Sequence, residues 1–208
     1  MRLDWHGNQI PAVVRGRRIH RHRAVVAEDR SAAAVLLAQG PPRAWQRSLD
    51  AAVAGACEGL EARAGAEETL AEAAARVRSC ARSLVDDGVI QVHAVAIAIE
   101  EEGKARLATA GSCRAYLDRG GEHRRLSSKS SSKGLADAYA FPTSEERLAP
   151  GDVVVLGPSH IFNVTGIAML ARLLHKGDEV DAQRVVRGLL SLCRAQETGG
   201  AAVALCVG

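Results

Sequence analysis

The sequence predicts a layered α+β protein in which sheets lie between helices. Three observations predict it. Short apolar runs bounded by turn residues read as buried strands, among them "AVLLAQG", "VIQVHAVAIAIE", "DVVVLG" and "GGAAVALCVG". Longer stretches carry apolar residues at helical spacing and come in consecutive pairs. The order is strands, two helices, strands, two helices and a last strand, which is the order of a layered α+β fold.

The elements follow in turn. "QIPAVVRGRRIHRHRAVVAEDR" is a strand-like run followed by a basic segment, and "SAAAVLLAQG" is a strand apolar on both faces, stopped by Gln39-Gly40-Pro41-Pro42. From Arg43 to about Leu60, Trp45, Leu49, Val53 and Cys57 recur four residues apart and predict a helix. After a break near Gly65, "EETLAEAAARVRSCARSLVDDG" predicts a second helix. Its acidic start and basic later turns suit the helix dipole, and Gly88 is its expected stop. "KARLATAG" and "CRAYLDRGG" continue the strand after Gly88 as a meander. "EHRRLSSKSSSKGLADAYA" reads as a mobile polar loop. "TGIAMLARLLHKG" and "VDAQRVVRGLLSLCRAQ" read as the second helix pair. No internal repeat or linker divides the chain, so a single domain over residues 1–208 is expected.

Composition narrows the function classes. The chain has 208 residues, 47% apolar and 25% charged, with only 3% aromatics, so its core must be built from Ala, Val and Leu. A net charge of +3 and the lack of an aromatic-plus-basic stacking platform give no reason to expect a nucleic-acid partner. The odd number of cysteines, five, and the absence of any CxxC pair point to reduced thiols used as small hydrophobes. "RLDWHGNQI" has no apolar signal-peptide region, and no run is long enough to span a bilayer, so no membrane role and a cytoplasmic location are expected.

The loop after "DVVVLG" holds Pro158, Ser159 and His160, which raises the question of a nucleophilic serine. Adjacent residues rarely place Oγ against the neighbouring imidazole, and no third orienting group is identifiable. Cys113 lies beside Arg114, whose charge could lower a thiol pKa, but buried packing is the simpler expectation. His93, within "IQVHAVAIAI", reads as a sheet-face histidine. Arg15, Arg17, Arg18, Arg21 and Arg23, with His20 and His22, form the strongest charge cluster. It suits a solvated surface, or an acidic protein, phosphopeptide or nucleotide ligand. "RRLSSKSSS" places Ser127 after two arginines, as basophilic kinases prefer.

Several of these segments together resemble a known family. "GSCRAYLDRGGEHRRLS" is similar to the "GDSRaYl…lT" segment of metal-dependent type-2C Ser/Thr protein phosphatases (the PPM family, bacterial branch). "LAPGDVVVLGPSHIFN" resembles that family's "l.pGD.lll.SDGl.d", and "GGAAVALCV" its terminal "DN.Tvvvv". Upstream, "VVRGRRIHRHRAVVAEDR" followed by "AVLLAQGPP" resembles "vrG.sHr…QDa" and then "aDGmGg". The likeness covers nearly the whole chain. It implies a four-layer α-β-β-α sandwich of two antiparallel sheets flanked by helix pairs.

The reaction of such phosphatases uses two divalent metals that bridge a water, held largely by aspartates at five places. Carried over residue by residue, the resemblance gives Asp29 as the only retained acid. Gln39, Ser112, Ser159 and Gly199 stand at the other four places, with Thr198 an alternative to Gly199. The phosphate-binding arginine corresponds to Arg21 or Arg23, or to Ala24, which lacks a charge. The implied protein is a pseudophosphatase with no cofactor, or at most one weak Mg or Mn ion. It would act as a regulatory or scaffold protein for a protein partner such as a phosphoprotein or kinase. The alternatives are a divergent phosphatase using Asp29 with Glu28, Asp86 or Asp87, and a fold serving a homo-oligomeric interface.

Overall fold

In the computed structural model, residues 1–40, 42–81, 91–128, 133–175 and 181–208 are described. One five-stranded sheet runs in the order β1 (Leu3–Ile10), β12 (Gly200–Val207), β11 (Val153–Pro158), β8 (Cys113–Arg119), β9 (Glu122–Arg125). The other runs β10 (Thr143–Arg147), β7 (Lys104–Ala110), β6 (Gln91–Ile99), β5 (Ala32–Gln39), β4 (His22–Val26). All pairings in both sheets are antiparallel. A small hairpin, β2 (Ala12–Val14) and β3 (Arg17–Ile19), stands apart from both sheets.

Alternation along the strands builds the layers. In β5, Ala33, Val35 and Leu37 meet Val154 and Leu156 of β11 and Val203 and Leu205 of β12 in one buried cluster between the sheets. The intervening Ala34, Leu36 and Ala38 face a second cluster with Trp45, Leu49, Leu70 and Ala73. Those residues lie on α1 (Pro42–Glu61) and α2 (Ala66–Ala81). On the outer face of the first sheet, Val153, Val155, Ala202 and Ala204 pack with Leu174, Val185 and Leu189. These come from α3 (Ser159–His175) and α4 (Ala182–Ala195). The three clusters give the order helix pair, sheet, sheet, helix pair, as expected. The core is built mainly from Ala, Val and Leu, as the composition requires.

The helix pairs lie near their expected positions. The first helix spans Pro42–Glu61, and its apolar seam is the one built from Trp45 and Leu49. The expected stop of the second helix at Gly88 lies outside the described residues. The third helix begins at Ser159, six residues before the expected Thr165, and Gly166 breaks its regular geometry at φ 66° and ψ 156°. Asp181 caps α4 by accepting a hydrogen bond from the Gln183 N–H at 2.7 Å.

The loop expected over residues 122–140 is partly structured. Glu122–Arg125 forms edge strand β9, and Ser127 is buried beneath it. The Ser127 hydroxyl accepts hydrogen bonds from the Ala115 N–H at 3.2 Å and from Arg125 Nε at 3.1 Å. It therefore ties β8 to the chain leaving β9 and is not presented as an exposed kinase substrate. Residues 129–132 of the same stretch lie outside the described residues.

Candidate functional site

The pairing registers bring one set of strand ends together. Gln39 ends β5, Ser112 precedes β8, Ser159 follows β11, and Gly199 precedes β12. Gln39 Nε2 is 3.5 Å from the Ser112 hydroxyl, and the Ser159 N–H donates to the Ser112 carbonyl at 2.9 Å. His160, next to Ser159, has Nε2 3.0 Å from the Gly199 carbonyl. Four segments far apart in sequence therefore meet at one mouth of the sandwich.

Asp29 is not among them. It lies in the turn between β4 and β5, at the other end of β5 from Gln39. The eight residues of β5 put roughly 23 Å between those ends at ~3.3 Å per residue. Asp29 Oδ1 accepts from the Ser31 N–H at 3.0 Å and from the Ser31 hydroxyl at 2.6 Å, and Oδ2 meets Arg63 at 3.1 Å. Those hydrogen bonds, chiefly the ones from Ser31, hold its carboxyl below the usual range. Asp29 is thus a turn residue, and the expectation of one retained metal ligand fails on distance. Glu28 shares the turn, and Asp86 and Asp87 lie outside the described residues.

The register shows what stands at the mouth instead. His22, at the start of β4, is opposite Leu37, and the Arg21 carbonyl accepts from the Ala38 N–H at 2.8 Å. Alternation turns His22 inward with Leu37, toward the space between the sheets. His22 is 0% exposed, neither ring nitrogen has a hydrogen-bond partner among the described residues, and its ring centroid lies 5.1 Å from that of His160. Burial above all, helped by His160, Arg21 and His20, holds its pKa well below the ordinary value, so it is neutral at pH 7.

The other two histidines at the mouth are also neutral, with defined tautomers. A carbonyl can only accept, so His160 Nε2 carries the proton given to Gly199. Burial lowers the His160 pKa, partly opposed by that hydrogen bond. His93 Nδ1 accepts from the Ser112 N–H at 2.7 Å, so its proton sits on Nε2, and burial lowers its pKa as well. His93 is the sheet-face histidine the sequence suggests, and it fixes the turn that carries Ser112.

Arg21 and Arg23 point the opposite way from His22, toward α1. Arg21 lies over the Trp45 ring at 5.3 Å and donates to the Thr198 carbonyl at 3.3 Å, so it bridges α1 to the rim of the mouth. Arg23 donates to the His22 carbonyl at 3.2 Å and lies 3.8 Å from Asp50 of α1. Neither guanidinium faces the mouth squarely as an anion clamp would. Cys113 is wholly buried, and burial pushes its thiol up to about 12, which rules it out as a nucleophile at neutral pH. The His160 ring gives its Nε2 proton to the Gly199 carbonyl, so that nitrogen cannot serve as a base to Ser159.

The donors at the mouth are an amide, two hydroxyls, a glycine carbonyl and neutral imidazoles, with an arginine beside them. That set does not fit a pair of hard divalent cations, which need several carboxylate oxygens to balance their charge. Among the described residues, no three His, Cys, Asp or Glu side chains are placed to hold a metal ion. Gly199 has a further constraint. Its φ is 67°, and a Cβ there would lie 2.5 Å from the Ala12 nitrogen, so no acid could occupy the position without moving the β2–β3 hairpin. The importance of His22 was missed in the sequence because "HRHR" reads as a charge cluster. The alternation of β4, which makes this one histidine inward, was the available signal.

No protein-family model matches the chain, and no curated protein matches its sequence. Solved structures do match in fold. A bacterial serine phosphatase superposes with a TM-score of 0.81 at 10% identity, over 100% of this chain and 98% of that one. The catalytic domain of the serine/threonine phosphatase PstP, solved with two manganese ions, gives a TM-score of 0.78 at 15% identity, over 99% of both chains. PppA, described as a key regulatory component of T6SS in Pseudomonas aeruginosa, gives 0.75 at 16%, over 99% of this chain and 98% of that one. Identities this low establish a common fold, that of the bacterial type-2C phosphatases, and nothing finer. Among the described residues, no helix is long and apolar enough to cross a membrane.

Proposed function

We propose that this chain is a phosphatase-fold protein without metal catalysis that works by binding protein, as a regulatory or scaffold subunit in the cytoplasm. One observation carries the reading. Where the strand ends converge, the side chains are neutral or basic: Gln39, Ser112, Ser159, a glycine that sterics hold at position 199, and the buried neutral His22. A two-metal hydrolytic centre needs a concentration of negative charge at that place. Asp29, the one acid that the family resemblance carries over, is committed to a turn at the far end. The PppA neighbour, described as a regulatory component, lends support by analogy of fold. Its partner would be a protein, such as a phosphoprotein or kinase, with neither nucleic acid nor membrane required.

The test is hydrolysis of a generic phosphomonoester with manganese, alongside calorimetric titration of manganese. The expected result is a rate equal to the buffer blank and no saturable heat. Manganese-dependent turnover that disappears in Ser159→Ala would overturn the reading.

A further inference from the structure

The β2–β3 hairpin carries charge that the rest of the fold does not use. It is anchored rather than free. Val14 and Ile19 pack against the cluster beneath α1, the Val13 N–H donates to the Glu197 carbonyl at 3.0 Å, and Ala12 lies against Gly199. From that base Arg15, Arg17 and Arg18 project as exposed residues. Among the described residues none of the three forms an ion pair or side-chain hydrogen bond. Other exposed arginines among the described residues, Arg30 and Arg184 for example, are also without a carboxylate, but only the hairpin gathers three on one short element; much of the remaining basic set is paired. Arg63, Lys104, Arg106, Arg119 and Arg147 each meet a carboxylate.

The turn itself holds an arginine where a small residue is usual. Arg15 has φ 49° and Gly16 φ 75°, so both central residues are left-handed, as in a tight hairpin turn. Such a turn favours Asn, Asp or Gly at the position of Arg15. The pairing Val14↔Arg17 and Val13↔Arg18 sends Arg17 and Arg18 to opposite faces of the hairpin. The guanidinium groups therefore do not converge on one point, as they would for a single phosphate. They present separate charges along an edge, which suits several carboxylates on an extended chain. Nucleic acid is less well matched: Trp45 is buried and already covered by Arg21, so it offers no face to a base.

We propose that this hairpin is the docking edge for an acidic segment of a partner protein, whose Asp and Glu carboxylates pair with Arg15, Arg17 and Arg18. This deepens the binding reading above by giving the chemistry of the partner. Charge matching of this kind raises the association rate and makes binding fall with salt.

The probe is a fluorescent Glu/Ser repeat peptide, followed by anisotropy with the whole chain. A Gln/Ser peptide, the same peptide with one phosphoserine, and a single-stranded oligonucleotide are compared in parallel. The Glu peptide should bind best, and the Arg15→Glu/Arg17→Glu/Arg18→Glu variant should weaken it by about tenfold or more. Arg184→Glu, on an exposed position of α4, should leave it unchanged. Arg15→Gly relieves the turn, so it must retain the fold while still weakening the peptide. No binding of the Glu peptide, or binding that survives the triple reversal, overturns the proposal. So does tighter binding of the phosphoserine peptide or the oligonucleotide. Failure of docking with a blank manganese assay leaves the non-catalytic reading intact, while manganese-dependent turnover overturns that reading alone.

Discussion

At the scale of single residues, the mouth is held by contacts that catalysis would not require. Gly111 has φ 68°, and a Cβ there would fall on the His93 ring, the acceptor for the Ser112 N–H. Gly111→Ala should therefore cost about 2–4 kcal/mol, combining left-handed strain with overpacking, read as a lower midpoint in urea. His22 makes a second prediction. Its folded pKa lies well below the ordinary 6.5, so below pH 6.5 the unfolded chain binds a proton that the folded chain refuses. Stability attributable to His22 is thus fully present above pH 6.5 and is lost as pH falls toward the folded pKa. The loss from this one group is up to about 1.4 kcal/mol per pH unit. His22→Leu also removes two buried nitrogens that lack partners, so it should be neutral or stabilising at pH 7. Urea unfolding at pH 7 and pH 5.5 should show a smaller acid loss in the variant; an equal loss would place the acid sensitivity elsewhere.

At the scale of elements, what the sequence disclosed depends on where each strand lies. Four of the six interior strands, β5, β6, β11 and β12, are nearly continuous apolar runs because both faces are buried, and they are legible as such, while β7 and β8 carry polar residues and are legible from their turns. The four edges, β1, β4, β9 and β10, are the strands the sequence concealed or blurred. Edge strands bear charged and polar residues that discourage pairing with another chain, as "TSEER" and "EHRR" do, and this erases the apolar signal. The same effect hid the site. The mouth depends on β4, whose start lies in a basic segment of the sequence, and the resemblance points instead to Asp29, whose hairpin turn lies at the far end of β5. Asp29→Ala should accordingly cost only about 1 kcal/mol, the worth of its exposed turn hydrogen bonds, and leave any manganese response unchanged. Gly166 makes a stronger element-level prediction. Its φ of 66° and ψ of 156° are almost exclusive to glycine, so Gly166→Ala should destabilise α3 by about 1–3 kcal/mol, measured by thermal or urea unfolding.

For the whole molecule, the question is what holds the layers and the mouth together, and packing answers it. The three apolar clusters run through both sheets and both helix pairs, so each layer is held to the next by buried apolar contact. At the mouth, protein groups make the cross-links: Gln39 to Ser112 and Arg21 to Thr198 run between the sheets, and His160 to Gly199 ties β11 to β12 within one sheet. A bound ion that recognises only the folded state raises stability by RT ln(1 + [L]/Kd), so at a hundred times Kd it adds about 2.7 kcal/mol. For a chain of this size that is a rise in melting temperature of roughly 5–10 °C. The donor set here predicts a shift below about 1 °C at about 10 mM manganese, since even ion at its Kd adds only about 0.4 kcal/mol. Magnesium should behave alike. The comparison variant is Gln39→Asp/Ser112→Asp/Ser159→Asp, which places three carboxylates at the converging strand ends and should rise by several degrees with manganese. A wild-type rise of that size would mean that the mouth assembles a metal site from donors other than these side chains.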